Sequence, residues 1–463
     1  MMSLSETIWA VVKILIMVGF LFNVGGLLTW LDRRQSAMIQ DRIGPNRAVI
    51  KVFGIEFRLG GLLHPLADGV KFFFKEDFIP PRGDKLLFAV APILVMAPVL
   101  ALIAVIPFGD KLCVDDLWRT TDTGSLLFPA VPRYGSCLIP VARGGIAAID
   151  LQVASLNVGI LYVFALAGQG IVGAALAGWS SDNKFSLLGA LRAASQMVSY
   201  EVTIGMSLVG ALMIYGSVRM GDMVRWQGDH AWGIFIQPLA FFMFFMAAVA
   251  ESKRIPFDLP EAESELVSGY FTEYSGMKFG MFYFAEYMEV VTSSMLLVTI
   301  FLGGWQLPFL HRDGLTIDIG TWRALQLPMN HLTVTAIQVC TFFGKVLLLC
   351  WIQCFVRWSL PRFRYDQLMK LCWRILLPLS LANILVTGVV YLLLDHAGPV
   401  LGNTLQMIGD LTQAVVAIAI TYFVLSIVIG LIRPTRRTSW VVGSTAKLAQ
   451  RFGGTPRSPR MQA

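Results

Sequence analysis

Several ionisable side chains stand where an apolar chain has no ordinary use for them. Glu201, Glu286, Glu289, Lys345 and Lys13 each fall inside a long apolar stretch. A charge at the centre of a membrane helix costs roughly 2.5–3.5 kcal/mol on insertion scales, so such residues usually face a polar interior and mark ion or proton pathways. Glu201, Glu286 and Lys345 read as members of a buried proton path; a purely structural Glu–Lys345 pair is the alternative. Lys13 lies near the end of its stretch, where it can snorkel to the interface. A second concentration is the segment ESKRIPFDLPEAESELVSGYFTEYSGMK, with Glu251, Asp258, Glu261, Glu263, Glu265 and Glu273 beside Lys253 and Arg254. Glu261 and Glu265 share one face at helical spacing, where like charges repel. These acids adjoin helix ends and are interleaved with Pro, Phe and Leu. That suits a loop folded into protein better than a solvated acidic loop, and partly buried carboxylates of this kind exchange protons near neutral pH.

Other chemistries find no support. Gly168-Gln169-Gly170-Ile171-Val172-Gly173 matches GxGxxG, but it follows no strand and opens no βαβ unit. It reads as close helix packing inside an apolar span. The six cysteines include no CxxC pair, the five histidines lie far apart, and no P-loop or HExxH is present. Neither a disulfide scaffold nor an iron–sulfur site is indicated. No flavin, cluster or metal is expected on this chain, and it is not expected to oxidise NADH by itself.

The elements that must position these residues are membrane helices. Of 463 residues, 56% are hydrophobic and only 14% charged, against roughly 25% charged in soluble domains; mean hydropathy is +0.66. A bilayer core needs about 20 apolar residues per helix. Nine such stretches lie near 8–31, 86–107, 151–178, 193–216, 232–250, 279–303, 332–356, 375–394 and 411–432. They are apolar all round, with Gly, Ala and Ser for close packing. An all-α polytopic membrane protein is therefore expected, with one transmembrane domain over 1–432. The first stretch reads as a retained helix, not a signal peptide.

Alternate loops differ sharply in charge. Loops 32–85, 179–192, 251–278, 357–374 and the tail hold 27 Lys/Arg against 8 on the opposite side, which puts the first set in the cytoplasm. The N-terminus is then outside and the C-terminus inside. The net charge of +7 is thus topological, and nucleic acid is not needed as a partner. Within loop 32–85, Leu62, Leu66, Val70, Phe73 and Phe74 recur at helical spacing, with Asp68, Lys71 and Lys75 on another face. That pattern suits a helix lying in the membrane interface. Residues 433–463 form a basic tail rich in Ser, Thr, Gly and Pro, expected to face lipid or a partner.

Six segments carry a family resemblance: DRIGPNR (41–47), HPLADGVKFFFKED (64–77), LAGWSSDNKFSLLGALRAASQMVSYEV (176–202), ESKRIPFDLPEAESELVSGYFTEYSGMKF (251–279), FAEY (284–287) and LPRFRYDQLMKLCW (360–373). In order and content they are similar to the signature blocks of the quinone-chamber membrane subunit of respiratory complex I, the proton-translocating NADH:quinone oxidoreductase. The resemblance implies a bacterial inner-membrane subunit at the junction of the peripheral and membrane arms, with other complex I subunits of both arms and membrane lipid as partners. It implies a wall of the chamber through which quinone enters, with the quinone headgroup shared with a peripheral subunit. By motif position, Arg33, Arg42, Asp68, Arg254, Phe257 and Arg357 fall to the chamber. Glu76, Glu201, Glu251, Asp258, Glu261, Glu263, Glu265 and Glu286 fall to an acidic relay leading into the membrane.

This sequence departs from the pattern of that family in several places. Asp32-Arg33 stands where Glu-Arg is usual, His64 where Gln is common, and Glu289 is an extra acid one turn after Glu286. Glu289 either extends the relay or pairs with a neighbouring subunit. The outer loop 108–150 is enlarged and contains Cys113 and Cys137, which an oxidising exterior would allow to pair. Two other classes fit the composition: a hydrogenase-type relative that need not bind quinone, and a stand-alone transporter. The full PFDLPEAESELVSGY and DRIGPNR segments favour the quinone branch. The long acidic-aromatic loops disfavour the transporter.

Overall fold

Long apolar runs without helix-stopping signals become long helices, and the computed structural model shows where each run begins and ends. It describes residues 4–52, 55–57, 59–113, 148–258, 268–311, 314–319, 322–396, 411–422 and 425–426. The helices are α1 (Leu4–Ile39), α2 (His64–Phe74), α3 (Lys85–Leu102), α4 (Gly159–Ser180), α5 (Lys184–Tyr215), α6 (Met220–Asp229), α7 (Gly233–Ile236), α8 (Pro238–Glu251), α9 (Gly276–Phe301), α10 (His331–Ser359), α11 (Tyr365–Lys370) and α12 (Leu377–His396). A single wide π turn, Leu371–Leu376, joins α11 to α12. Among the described residues, seven helical stretches are long and apolar enough to cross a membrane, and two expected spans appear as the shorter apolar helices Pro238–Glu251 and Leu411–Tyr422. The chain is an all-α polytopic membrane protein. It divides into two units, Met1–Gln413 and Ala414–Ala463; the elements labelled here belong to the first.

Local signals set the helix ends. Asp84 caps α3 by accepting from the Leu86 and Leu87 amides at 3.0 and 3.3 Å. Asn183 caps α5 through the Phe185 amide at 3.0 Å, and Gly216, at φ 62°, ends it in a left-handed turn. Such caps satisfy amides and carbonyls that the helix leaves unpaired. Helix α2 has no buried residue. Its Leu66, Val70, Phe73 and Phe74 are all exposed, as an interfacial helix requires.

Helix α9 is the most enclosed of the long helices and packs against α1, α3, α8 and α10. Helices α3, α4, α5 and α8 pack in succession beside it. The GxGxxG stretch lies within α4 and serves packing. A Cβ at Gly173 would come within 2.9 Å of the Val95 backbone nitrogen, and one at Gly168 within 3.4 Å of the Glu201 carboxylate. The small residues thus let α4 approach α3 and leave room for an acid on α5. Between α9 and α10 the chain forms a small antiparallel sheet, β5 (Leu310–His311), β6 (Gly314–Ile319) and β7 (Trp322–Pro328). Two shorter pairs are β1 (Ile50–Val52) with β2 (Ile55–Phe57), and β3 (Lys111–Cys113) with β4 (Ala148–Asp150).

Candidate functional site

The densest polar node is built around Asp32, 3% exposed near the end of α1. Its Oδ2 accepts from the Tyr287 hydroxyl at 2.9 Å and from Arg357 at 2.5 Å, and Oδ1 accepts from the Trp358 indole at 3.3 Å. Arg254 lies 3.8 Å from the same carboxylate, with its guanidinium 3.7 Å above the Tyr287 ring. Two cations and two aromatic donors therefore converge on one buried anion. A buried charge is tolerated when paired and hydrogen-bonded in this way. The Tyr287 hydroxyl also meets that of Tyr283, at 3.1 Å. Beside this node, Arg33 holds Asp68 of α2 at 2.5 Å. His64 bonds the Gly61 carbonyl at 3.1 Å, so Asp68 is held by arginine and not by the histidine.

The turn after α8 connects this node to a second cluster. Gln196 of α5 donates to the Ala250 and Phe257 carbonyls at 2.7 and 2.6 Å and pins the turn at both ends. Lys253 adopts φ 54°, a left-handed conformation that costs a non-glycine residue on the order of 1 kcal/mol and is held only where its surroundings dictate it. Its buried ammonium sits 3.5 Å from Glu289 and 5.9 Å from the centre of the Tyr270 ring. The Tyr270 hydroxyl donates to Glu286 at 3.2 Å. Adjacent residues thus face two clusters: Arg254 reaches Asp32, and Lys253 reaches Glu289.

Glu201, Glu251 and Glu289 line one cavity of about 60 Å³ between α3, α4, α5, α8 and α9. That is room for a few water molecules. Ser252, Thr292 and Ser293 add polar atoms at its carboxylate end, and Val99, Ile204 and Leu296 line the apolar remainder. Three carboxylates on one small, mostly apolar cavity suit the passing of protons through short water bridges.

The remaining expected residues divide. Arg42 bonds Gln40 and Ser36 at 2.7 and 2.8 Å, and the structure does not bring it to the Asp32 node. Phe257 stacks on Phe363 at 5.6 Å and is buried in the core. Asp258 pairs with Arg362 at 3.2 Å. Glu76 is exposed, next to Asp77, which pairs with Lys278 at 2.9 Å; it does not line the cavity. Glu261, Glu263 and Glu265 lie outside the described residues. So does Cys137, the expected partner of the buried Cys113.

Among the described residues, Lys345 pairs with no carboxylate, and it does not line the cavity. It donates to the Leu302, Gly304 and Gln306 carbonyls at 2.7, 3.1 and 2.6 Å and lies over the Trp232 ring at 4.2 Å. Gly303 and Gly304, at φ 70° and 52°, turn the chain so that these carbonyls converge. This lysine satisfies the end of α9. Lys13 likewise donates to the Asp150 and Gln152 carbonyls at 3.0 and 2.7 Å.

The sequence matches the NADH dehydrogenase family over residues 12–388. It is 41% identical to an H subunit of NADH-quinone oxidoreductase, the one numbered 1, from Cytophaga hutchinsonii, covering 79% of this chain and 91% of that protein. It is 40% identical to the corresponding H subunit of Flavobacterium johnsoniae over 80% of this chain and 91% of that protein. An H subunit of Koribacter versatilis, numbered 2, is 41% identical over 82% of this chain and 96% of its own length. The chain belongs to this family of NADH-quinone oxidoreductase membrane subunits. It is therefore one component of an oxidoreductase complex in a membrane.

Within this component, several site residues escaped sequence reasoning. Gln196, Tyr287 and Arg362 lie in segments that carry the resemblance, but no spacing marks them or Trp358 as partners of the charged groups. Lys253 and Glu289 were each visible as charges. Their pairing was not, because it joins positions 36 apart.

Proposed function

We propose that this chain walls the quinone chamber of its complex and couples quinone reduction to proton translocation through a carboxylate relay. The observation that carries the reading is the turn at 251–254. Glu251 lines the cavity shared with Glu201 and Glu289, Lys253 faces Glu289, and Arg254 faces Asp32. A charge change at the Asp32 node has only this short turn to cross before it acts on the cavity carboxylates.

The chemistry follows from the substrate. Reducing a quinone to a quinol takes two electrons and two protons. The electrons come from other chains. On this reading the Asp32, Arg254 and Arg357 node, with Arg33 and Asp68 beside the exposed apolar face of α2, forms the chamber side. Arginine cations there orient polar groups and stabilise developing negative charge. Glu201, Glu251, Glu286 and Glu289 form the relay side, where a carboxyl gives up or accepts a proton as the nearby charge changes. The exposed apolar side chains of α2 suit an entrance open to lipid, which the long apolar tail of a membrane quinone requires. The 27-to-8 loop charge bias supports placing this node on the cytoplasmic side.

Glu201→Gln and Glu251→Gln test the reading in the intact complex. Each is expected to assemble and to lose turnover or protons moved per NADH. Normal rates with normal stoichiometry in both variants would overturn it.

A further inference from the structure

The carboxylate cavity has a second end. Its lining continues from Glu289 to Ile300 along α9, eleven positions and about 16 Å at 1.5 Å per residue. Its lining also includes Met220, the first residue of α6. Met220 also lines a separate cavity of about 100 Å³, on the side of loop 217–231. That second cavity is polar. Asp110, Asp150, Asp222 and Arg225 face it, with Arg225 bridging Asp110 at 3.2 Å and Asp222 at 3.3 Å. Two of its lining residues, Arg225 and Trp305, carry buried N–H groups (Nε and Nε1) with no acceptor among the described residues. Buried donors of this kind in a polar space of this size are met by water. One side chain is therefore shared by the carboxylate cavity and a hydratable basin on the side of loop 217–231.

We infer that the Asp110–Asp222–Arg225 basin is the outward mouth of the carboxylate cavity, and that Met220 is the plug between them. This rests on the carboxylate-relay reading and adds a place of proton release within this chain. The residue type suits the task. Methionine is apolar and unbranched, with three rotatable bonds, so it seals a narrow apolar neck and can swing aside without disturbing a packed backbone. Met220 is itself buried, whereas a Cβ built at the neighbouring Gly221 would meet nothing within 4 Å beyond its chain neighbours. The apolar Leu102, Ile160 and Ile300, which line the same cavity as Met220, keep the path closed to a water chain until the plug moves. A proton then leaves a cavity carboxyl, crosses the neck on transient water and reaches the Asp222 side of the basin.

The test uses the whole complex in sealed vesicles, with Met220→Cys and, as a position that tolerates a side chain, Gly221→Cys. Each is exposed to a membrane-impermeant thiosulfonate from either face, at rest and during NADH oxidation. The parent complex gives the background from the exposed Cys340. Labelling of Cys at 221 from the face of loop 217–231, with labelling at 220 from that face rising at least several-fold during turnover, is the expected result. A Met220→Phe variant is expected to move fewer than half as many protons per NADH. Absence of labelling at 220 during turnover, equal labelling at rest, or unchanged stoichiometry in Met220→Phe would each overturn the outlet. The two readings fail separately. Normal pumping in Glu251→Gln removes the relay, whereas impaired pumping there with no turnover-dependent labelling at 220 removes only the outlet.

Discussion

Replacing Asp32 by Asn isolates what the central node contributes. Asp32 is 3% exposed and is the only carboxylate on which Arg254 and Arg357 are seen to converge among the described residues. Asn keeps the size and loses the charge, so the buried Arg254 guanidinium and the partly exposed Arg357 face one neutral amide. Removing one partner from a buried ion pair costs about 3–5 kcal/mol, mostly through the cation left unpaired. The Arg33–Asp68 pair provides the internal control. Its side chains are 37% and 26% exposed, and exposed pairs contribute about 0–1 kcal/mol. Asp32→Asn should therefore outweigh Asp68→Asn by at least about 2 kcal/mol, more than tenfold in an equilibrium constant. The assay is the thermal midpoint and the yield of assembled complex in mild detergent for the two variants side by side. Asp32→Glu, which keeps the charge and adds one methylene, should fall between them. Equal stability of Asp32→Asn and Asp68→Asn would refute the view that the node is a buried, mutually dependent charge cluster.

Other outcomes follow from the packing. Gly173→Ala should impair assembly because its Cβ meets the Val95 backbone at 2.9 Å, whereas Gly168→Ala, at 3.4 Å from a movable carboxylate, should assemble and alter turnover; complex yield and NADH-to-quinone rate separate the two. Lys345→Met leaves three carbonyls at the end of α9 without their donor. It should lower stability by about 1–3 kcal/mol, read from the thermal midpoint, and leave the ratio of protons to electrons unchanged in whatever complex assembles. Lys253→Met removes the partner of the partly buried Glu289 and should lower assembly. Glu289→Gln in the same chain should recover assembled yield without recovering full pumping. The proposed Cys113–Cys137 disulfide predicts that reduction before alkylation adds two alkyl groups to the intact mass; an unchanged mass would exclude the bond.

The fold was largely legible because span length and apolar content are local properties. The interfacial helix was legible for the same reason: Leu66, Val70, Phe73 and Phe74 recur at helical spacing and are exposed in the structure. The candidate site was legible only as a set of charges. Asp32 and Arg357 stand 325 positions apart, and nothing near either residue says which cation will meet which anion. Lys345 shows the other limit. A lysine in a span reads as functional, yet the turn at Gly303 and Gly304 provides carbonyls that no hydropathy pattern reveals. The sheet at 310–328 is hard to read from sequence because its alternation, LTIDI and WRALQLP, is short and lies in a loop. Conversely, the apolar setting of the GxGxxG stretch already excludes a phosphate-binding turn, and in the structure it packs α4 against α3.

The most direct test of the coupling claim is infrared difference spectroscopy of the intact complex as its quinone is reduced. The account predicts a change in the carbonyl stretch of a protonated carboxyl group in the wild type that is lost or shifted in Glu251→Gln. Identical difference spectra in the two would show that Glu251 does not respond to quinone chemistry, and would contradict a relay that begins at the turn between Arg254 and Glu251.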